Sequence, residues 1–191
     1  MNKTKRKIFE TSMELFAKKG YEATSIEEIT SVVGVAKGTL YYHFSSKEEI
    51  FNFLVEEGIK LLKNSIEIKT SKLNNSIDKL KAIILIQIKI IVKYENFISI
   101  LLNEIWGQEQ RNKKCREYVF EYVDLIENII AEGIKNKEII DGDANVIAHG
   151  IFGFTCSTML YKLSLNDELD IQKVYKEITK DFIGNLKNNC I

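Results

Sequence analysis

The stretch that decides the fold is Gly34-Val-Ala-Lys-Gly-Thr-Leu-Tyr-Tyr-His-Phe-Ser-Ser-Lys-Glu-Glu-Ile-Phe51. It combines a turn glycine, a very short helix and a capped restart at Ser46. Such a helix is too short to form a core by itself, and its polar side chains are hydrogen-bond donors suited to phosphates and base edges. The pattern predicts a short helix that presents its outer face to nucleic acid.

The sequence around this stretch is helical. The chain contains no proline, and its apolar residues mostly recur at helical spacing. A first helix is expected from about Thr4 to Lys19, where Gly20 ends it. Thr24 and Ser25 are each followed three residues later by a glutamate, so either can cap a second helix. Ser46 with Glu49 is a further capping pair, which opens a long fourth helix at about 46–68.

A polar linker at residues 70–76 separates this part from five further helical segments. The segments are expected at about 77–94, 97–106, 108–135, 143–163 and 170–187. We therefore predict an all-α chain with an N-terminal domain of three short helices at residues 1–47, called the head below. A C-terminal helical bundle would occupy residues 48–191. The fourth helix would be shared by both domains, which suits it to transmit movement.

The charge is unevenly distributed. The 191-residue chain has 27 basic and 27 acidic residues, so its overall charge gives no sign of nucleic-acid binding. Residues 1–47, however, hold eight Lys or Arg and five Asp or Glu, a net charge of +3, and the remainder carries −3. This asymmetry has the direction expected of a DNA-binding head on an acidic body.

Several classes of protein are disfavoured. The three cysteines, Cys115, Cys156 and Cys190, are far apart and odd in number, which argues against a disulfide framework. The N-terminus lacks the apolar region of a signal peptide, and the most apolar stretch, residues 82–92, is shorter than the ~20 residues of a membrane span. We expect a cytoplasmic protein without a membrane partner.

Catalysis is not expected either. The two histidines are far apart in the sequence, and no metalloprotease, nucleophile-elbow, phosphate-loop or dinucleotide-binding motif is present. The carboxylates alternate with lysines as they do on solvated helix faces. We predict no catalytic residue, no metal site and no cofactor.

The region from Ile8 to Phe51 carries a family pattern. Its features are Phe16-Ala-Lys-Lys-Gly-Tyr21, Thr24-Ser-Ile-Glu-Glu-Ile29, Gly34 to Phe44 as quoted above, Lys47 and Phe51. With glycines, aromatics and caps in register, the head resembles the DNA-binding domain of the TetR family of bacterial transcription regulators. The resemblance covers about a quarter of the chain. It implies a homeodomain-like helix-turn-helix that binds a double-stranded DNA operator.

The resemblance implies DNA contacts at most of the polar head positions. In a helix-turn-helix the N-terminal residues of the second helix lie nearest the bases, which places Lys37 within reach of guanine or phosphate. Gly38 would let the backbone approach closely. Tyr42 has the alternative of packing on the first helix, and His43 of remaining solvated. The predicted DNA-binding residues are Thr24, Ser25, Lys37, Gly38, Thr39, Tyr41, Tyr42, His43 and Lys47.

Such regulators usually bind a small effector in the C-terminal part, where aromatic residues cluster. The candidate effector residues are Tyr94, Phe97, Glu104, Trp106, Phe120, His149, Phe152 and Cys156. The alternatives are a plain aromatic core, a solvated Glu104, a hydrogen-bonded core His149 and a buried, inert Cys156.

Two long segments, about 115–135 and 143–163, have apolar faces. Tyr118, Tyr122, Leu125 and Ile129 lie on the first, and Ile147, Ile151, Phe154 and Thr158 on the second. They would form either half of a four-helix homodimer interface or an internal core, and the sequence leaves both open.

The whole sequence is therefore interpreted as a ligand-responsive DNA-binding regulator. As a repressor it would bind a near-palindromic operator as a dimer, and a small apolar or aromatic effector would release it. Two alternatives remain. One is a structural DNA binder that recruits a protein partner, and the other is a helical ligand-binding protein or enzyme with a relic head.

Overall fold

A computed structural model describes residues 3–105, 110–165 and 168–187. The described chain is all-α, as predicted. Its only β pairing is a single antiparallel bridge between Ile139 and Lys187. The helices are α1 (Lys3–Lys19), α2 (Ile26–Val33), α3 (Lys37–His43), α4 (Lys47–Thr70), α5 (Ser76–Lys93), α6 (Glu95–Ile105), α7 (Gln110–Lys135), α8 (Ala144–Ser164) and α9 (Ile171–Ile178).

The contacts divide the chain into two compact units. The first comprises Met1–Ile59 with Glu95–Tyr118, and the second comprises Lys60–Tyr94 with Val119–Ile191. Helices α4 and α7 each contribute residues to both units. This division follows packing, whereas the boundary after residue 47 concerns DNA binding and stays a prediction.

In the first unit, α1 packs against α2 and α6. Ile8 and Phe16 of α1 are fully buried, because they lie on the apolar face that the sequence pattern predicts. The Phe51 ring lies 5.9 Å from the Phe16 ring and 5.2 Å from the Tyr21 ring, and Phe97 of α6 joins the cluster at 6.0 Å from Phe51. This aromatic core fixes the helices that carry α3.

In the second unit, α5 packs against α8 and the C-terminal segment. Leu80, Ile83, Ile84 and Ile88 of α5 are fully buried. Their spacing of three and four residues places them on one helical face, which explains why so isoleucine-rich a segment is a helix and not a strand.

The C-terminal helix differs from its prediction. Helix α9 ends at Ile178, and a π-helical turn (Thr179–Ile183) and a 3-10 turn (Gly184–Leu186) follow. The buried residues are Val174, Ile178, Ile183 and Leu186, so the step from Ile178 to Ile183 is five residues. A π turn accommodates the extra residue and brings Ile183, in place of Phe182, onto the buried face. The Ile140 N–H then donates to the Leu186 carbonyl over 2.9 Å.

Candidate nucleic-acid interface

The turn between α1 and α2 is held by a buried threonine. Gly20 ends α1 with φ of +86°, a conformation that favours glycine. The Thr24 hydroxyl donates to the Gly20 carbonyl over 2.8 Å, and Thr24 is only 1% exposed. With its side chain enclosed and its donor in use, Thr24 has no surface to offer DNA. We therefore remove it from the predicted interface.

Ser25, and not Thr24, caps α2. Its Oγ accepts a hydrogen bond from the Glu28 N–H over 3.1 Å, which satisfies one of the unpaired N–H groups at the helix start. Ser25 is exposed, and a hydroxyl that accepts one hydrogen bond can still donate another. The Ser25 hydroxyl can therefore cap the helix and donate a hydrogen bond to a phosphate at the same time.

The turn from α2 into α3 depends on Gly34, whose φ of 77° and ψ of 39° lie in the left-handed region. Its N–H donates to the Thr30 carbonyl over 2.9 Å, closing the end of α2. The Lys7 ammonium of α1 donates to the Val33 carbonyl over 2.7 Å and closes the same end from the other side. These contacts fix the direction in which α3 leaves the turn.

Helix α3 has seven residues and buries only Leu40. Phe44, which follows it, is also buried, whereas Lys37, Gly38, Thr39, Tyr41 and Tyr42 are exposed.

Tyr42 is 85% exposed, which rules out the alternative that it packs on α1. Its ring contacts the half-buried His43 ring edge-on, at 5.1 Å between centroids. One face of α3 therefore anchors the helix, and the other presents ammonium, hydroxyl and phenol donors.

Lys37, at the start of α3, is held by Glu27 of α2. Its Nζ donates to Glu27 Oε1 over 2.5 Å and lies 5.9 Å from the Tyr41 ring centroid. The hydrogen bond from Lys37 lowers the pKa of Glu27, and the same bond raises the pKa of Lys37. Both side chains are more than half exposed, so water and salt can compete for the pair.

The start of α4 is capped as predicted, with one variation. Ser46 Oγ accepts from the Glu49 N–H over 3.1 Å. Glu49 reaches back to Ser45, whose hydroxyl and N–H both donate to its carboxylate, over 2.6 Å and 2.7 Å. These hydrogen bonds, the hydroxyl first, lower the pKa of Glu49. The exit from α3 is therefore tied to the first turn of α4.

Lys47 has a structural role beside the predicted phosphate contact. Its ammonium donates to the carbonyls of Tyr21 and Glu22 over 3.0 Å and 3.3 Å and lies 4.4 Å from the Tyr21 ring centroid. It thus ties the start of α4 to the turn after α1. An ammonium has three N–H donors, so one remains for a phosphate, and that contact stays a prediction.

The predicted effector residues are divided between the two units. Phe97 and Glu104 belong to the first unit, and Phe97 is buried against Phe51. The second unit contains Tyr94, Phe120, His149, Phe152 and Cys156. Trp106 lies outside the described residues.

Within the second unit, the Phe120 ring lies 5.7 Å from the His149 ring. His149 is half-buried and its Nδ1 lies 3.0 Å from the Asn145 carbonyl oxygen, so Nδ1 carries the proton and donates. The hydrogen bond agrees with part of the alternative that the sequence left open, but His149 is half-buried and not a core residue, and its role as an effector contact stays a prediction.

A buried polar network connects three helices of the second unit. Gln87 Nε2 of α5 donates to the Phe152 carbonyl and to Cys156 Sγ of α8, both over 3.2 Å. The Tyr122 hydroxyl of α7 donates to Gln87 Oε1 over 2.9 Å. Sequence reasoning missed Gln87, although one amide within an isoleucine-rich helix is a signal of a buried polar group.

Burial makes the Cys156 thiol and the Tyr122 hydroxyl of this network weaker acids. It raises the pKa of Cys156 to about 11 and that of Tyr122 well above its ordinary value. The Cys115 thiol, also buried, has its pKa raised to about 12. These groups are therefore neutral near pH 7, and the expectation of a buried, inert Cys156 agrees with this position.

Among the grooves on the described part of the second unit are two that no predicted effector residue lines. The larger, of about 570 Å³, runs between α4 and α7 and includes an ion pair of 3.2 Å between Lys63 and Glu121. The smaller, of about 280 Å³, is lined by Lys81, Lys176, Lys180 and Lys187 together with Thr179, Ile183 and Gly184. The effector site therefore stays a prediction.

Within residues 3–105, 110–165 and 168–187, no group of three or more His, Cys, Asp or Glu side chains is placed to hold a metal ion. No helix in the same ranges is long and apolar enough to cross a membrane.

Comparison with known proteins covers both parts of the chain. Residues 8–54 match the family model of bacterial regulatory proteins of the tetR family, and residues 74–160 match that of the tetracyclin repressor-like C-terminal domain. The uncharacterized HTH-type transcriptional regulator YerO of Bacillus subtilis is 31% identical over 202 residues, which span 100% of this chain and 68% of YerO.

Two solved structures are similar along nearly their full length. A Clostridium perfringens protein, named as a candidate fatty acid metabolism regulator, is 36% identical with a TM-score of 0.86, covering 94% of this chain and 98% of the other. AibR, solved in complex with isovaleryl coenzyme A and operator DNA, is 20% identical with a TM-score of 0.79, covering 94% and 98%. At that identity AibR shows the fold alone. The matched family models, together with YerO and the Clostridium perfringens protein, show that the chain belongs to the tetR family of bacterial regulatory proteins.

Proposed function

We propose that the protein is a transcriptional repressor that binds a near-palindromic DNA operator as a homodimer and is released by a small effector. The observation that carries this proposal is the division of α3 into a buried anchor, Leu40, and an exposed row of donors. In a helix-turn-helix such a helix enters the major groove with its N-terminal residues nearest the bases.

The residues proposed to contact DNA divide by chemistry. Lys37 and Thr39 lie at the start of α3, where side chains reach base edges. Ser25, Tyr41, Tyr42, His43 and Lys47 offer hydroxyl, imidazole or ammonium groups suited to phosphate oxygens, and Gly38 would let the backbone approach. A dimer would place its two α3 helices about one DNA turn, roughly 34 Å, apart. A protein that binds the bacterial chromosome works in the cytoplasm, where we place this one.

The exposure of side chains on the second unit supports α8 over α7 as the proposed dimer face. Tyr122 of α7 is buried in the Gln87 network, and the exposed residues of α7 include Glu117, Glu121, Asp124 and Glu132. The exposed face of α8, in contrast, includes Val146, Phe154 and Tyr161 at spacings of eight and seven residues. We therefore propose that α8 supplies most of the apolar dimer contact, and that α7 contributes little.

The effector is proposed to carry an apolar acyl chain, with acyl coenzyme A thioesters as the first class to test. AibR binds isovaleryl coenzyme A, and the Clostridium perfringens relative is named for fatty acid metabolism. The interior of the second unit is mainly apolar, with the Gln87 amide and Tyr122 hydroxyl as hydrogen-bonding groups inside it. An effector that binds better to a state unable to bind DNA would shift the population to that state, and α4, which has residues in both units, would transmit the change.

Selection of duplexes from a random pool, followed by gel-shift titration, tests the DNA function. We expect a palindromic sequence, and we expect the double substitution of Tyr41→Phe and Tyr42→Phe to weaken operator binding without lowering the melting temperature. A wild-type protein that retains no duplex would refute the proposal.

Thermal-shift measurements with acyl coenzyme A of several chain lengths, with free coenzyme A as control, test the effector. A ligand that binds only the folded protein raises its melting temperature. The expected ligand raises that temperature and releases the selected operator. A ligand that stabilises the protein but leaves operator affinity unchanged would contradict the effector role.

A further inference from the structure

We propose that Glu27 lowers the affinity of the head for DNA, because it competes with DNA for Lys37. In the free protein the Glu27 carboxylate holds the Lys37 ammonium, and Lys37 must leave it to reach a base or a phosphate. This inference rests on the DNA-binding function proposed above. It assigns an inhibitory role to an acidic residue within the interface itself.

The geometry leaves Glu27 free for this role. Two glutamates occupy the first turn of α2, Glu27 and Glu28. Glu28 takes part in the structure of the head, since its N–H bonds to Ser25 and its carboxylate pairs with Lys19 of α1. Glu27 points instead to the first residue of α3, the position nearest the bases in a helix-turn-helix.

The pair has little to contribute to folding. Both side chains are more than half exposed, and exposed ion pairs contribute little to stability because water and salt screen them. Its consequence lies in binding, where the Lys37 ammonium is a principal donor at the start of α3. Removing the Glu27 charge should therefore alter DNA affinity while leaving the fold intact.

The competition opposes binding to every duplex for which Lys37 must leave Glu27. Guanine offers two acceptors, O6 and N7, to a lysine in the major groove, so a correct base compensates for the lost carboxylate. A duplex without that base offers Lys37 only a phosphate, so Lys37 gains less there by leaving Glu27. The Glu27 carboxylate therefore opposes binding to both duplexes, and its removal should help the operator at least as much as unrelated DNA.

The experiment measures affinity by fluorescence anisotropy, with the selected operator and an unrelated duplex, at several salt concentrations. We expect Glu27→Gln to tighten binding to the operator roughly three- to tenfold and binding to the unrelated duplex by no more than that, with a salt slope on the unrelated duplex steeper by up to about 0.9 for one further net phosphate contact. Glu28→Gln is the matched control, because Glu28 lies in the same turn but pairs with Lys19, and it should tighten operator binding less than Glu27→Gln. Melting temperatures of both variants show whether the head remains folded.

A double-mutant cycle with Lys37→Ala separates the competition from a general charge effect. If Glu27 acts through Lys37, Glu27→Gln should bring a smaller gain in the Lys37→Ala background than in the wild-type background. An equal gain in both backgrounds overturns the inference, as does an unchanged affinity of the single variant. Weaker operator binding by Glu27→Gln would overturn it as well, because it would show that Glu27 reads a base, such as the cytosine amino group. If the wild-type protein bound no duplex, the DNA-binding function proposed above would be refuted, which is a different result from those that overturn the role of Glu27.

Discussion

Gly38 lies at the exposed start of α3, where neither folding nor packing requires a glycine. A Cβ added there would meet no atom within 4 Å, and its φ is not positive. Gly38→Ala should therefore leave the fold intact and stabilise it by about 0.5 kcal/mol, because alanine is the better helix former. If the backbone approaches DNA at this point, operator affinity should fall at least about tenfold, or roughly 1.4 kcal/mol. Thermal melting and gel-shift titration of one preparation measure both effects.

Gly34→Ala is the matched control for that substitution. A Cβ at Gly34 also meets no atom within 4 Å, but its φ is 77°. The left-handed conformation costs a residue with a Cβ roughly 1–2 kcal/mol, so this variant should lose stability. Full operator affinity of Gly38→Ala would show that the DNA does not come close to the backbone there.

Single residues show how far the sequence predicts the site. The exposed positions of α3 other than Tyr42 follow from a seven-residue helix with one apolar anchor at Leu40, whereas the sequence left Tyr42 open and the structure exposes it. The burial of Thr24 cannot be predicted from the sequence, because Thr24 and Ser25 can both cap a helix. Only the path of the turn determines which of the two side chains faces inward. The pair of Glu27 and Lys37 joins residues ten positions apart, so its detection requires the angle between α2 and α3.

The short α2 depends on its cap. Ser25 satisfies the Glu28 N–H, and an eight-residue helix has few other hydrogen bonds to hold its first turn. Ser25→Ala should lower the free energy of unfolding by about 1 kcal/mol. Ser31→Ala serves as the control, because Ser31 is an exposed residue within the same helix and its loss should change stability by less than about 0.5 kcal/mol. Chemical denaturation monitored by circular dichroism measures both values, and equal effects would contradict the capping role.

At the level of elements, the sequence predicts helix boundaries well where a side chain marks them. Ser25, Asp143 and the glycines at 20 and 34 each mark a boundary within two residues of the observed one. The π turn after Ile178 has no such mark. The π turn results from the packing of Ile183 into the core of the second unit. The pairing of Ile139 with Lys187 depends on the same packing. Packing of this kind cannot be derived from periodicity.

At the level of the molecule, the sequence left open whether α7 and α8 form a core or a dimer face, because both uses produce an apolar stripe at helical spacing. Within one chain, the burial of each side chain distinguishes the core positions of α7 and α8 from the exposed ones. Ile151 of α8 and Tyr122 of α7 are buried, whereas Tyr161 of α8 is 61% exposed and Val146 is 65% exposed. An exposed apolar stripe on α8 is what an unpaired half of a dimer interface presents.

Tyr161→Glu should therefore dissociate the proposed dimer, since it places a carboxylate in an apolar contact where it would be desolvated and repeated by symmetry. Analytical ultracentrifugation should show a monomer, and affinity for the palindromic operator should fall to that for a single half-site. Ile68→Glu is the control, because Ile68 is an apolar residue of α4 that is 71% exposed and lies outside the α8 face. It should leave the dimer intact. If the dimer persisted in Tyr161→Glu, or was lost equally in Ile68→Glu, the proposal that α8 forms the dimer interface would be wrong.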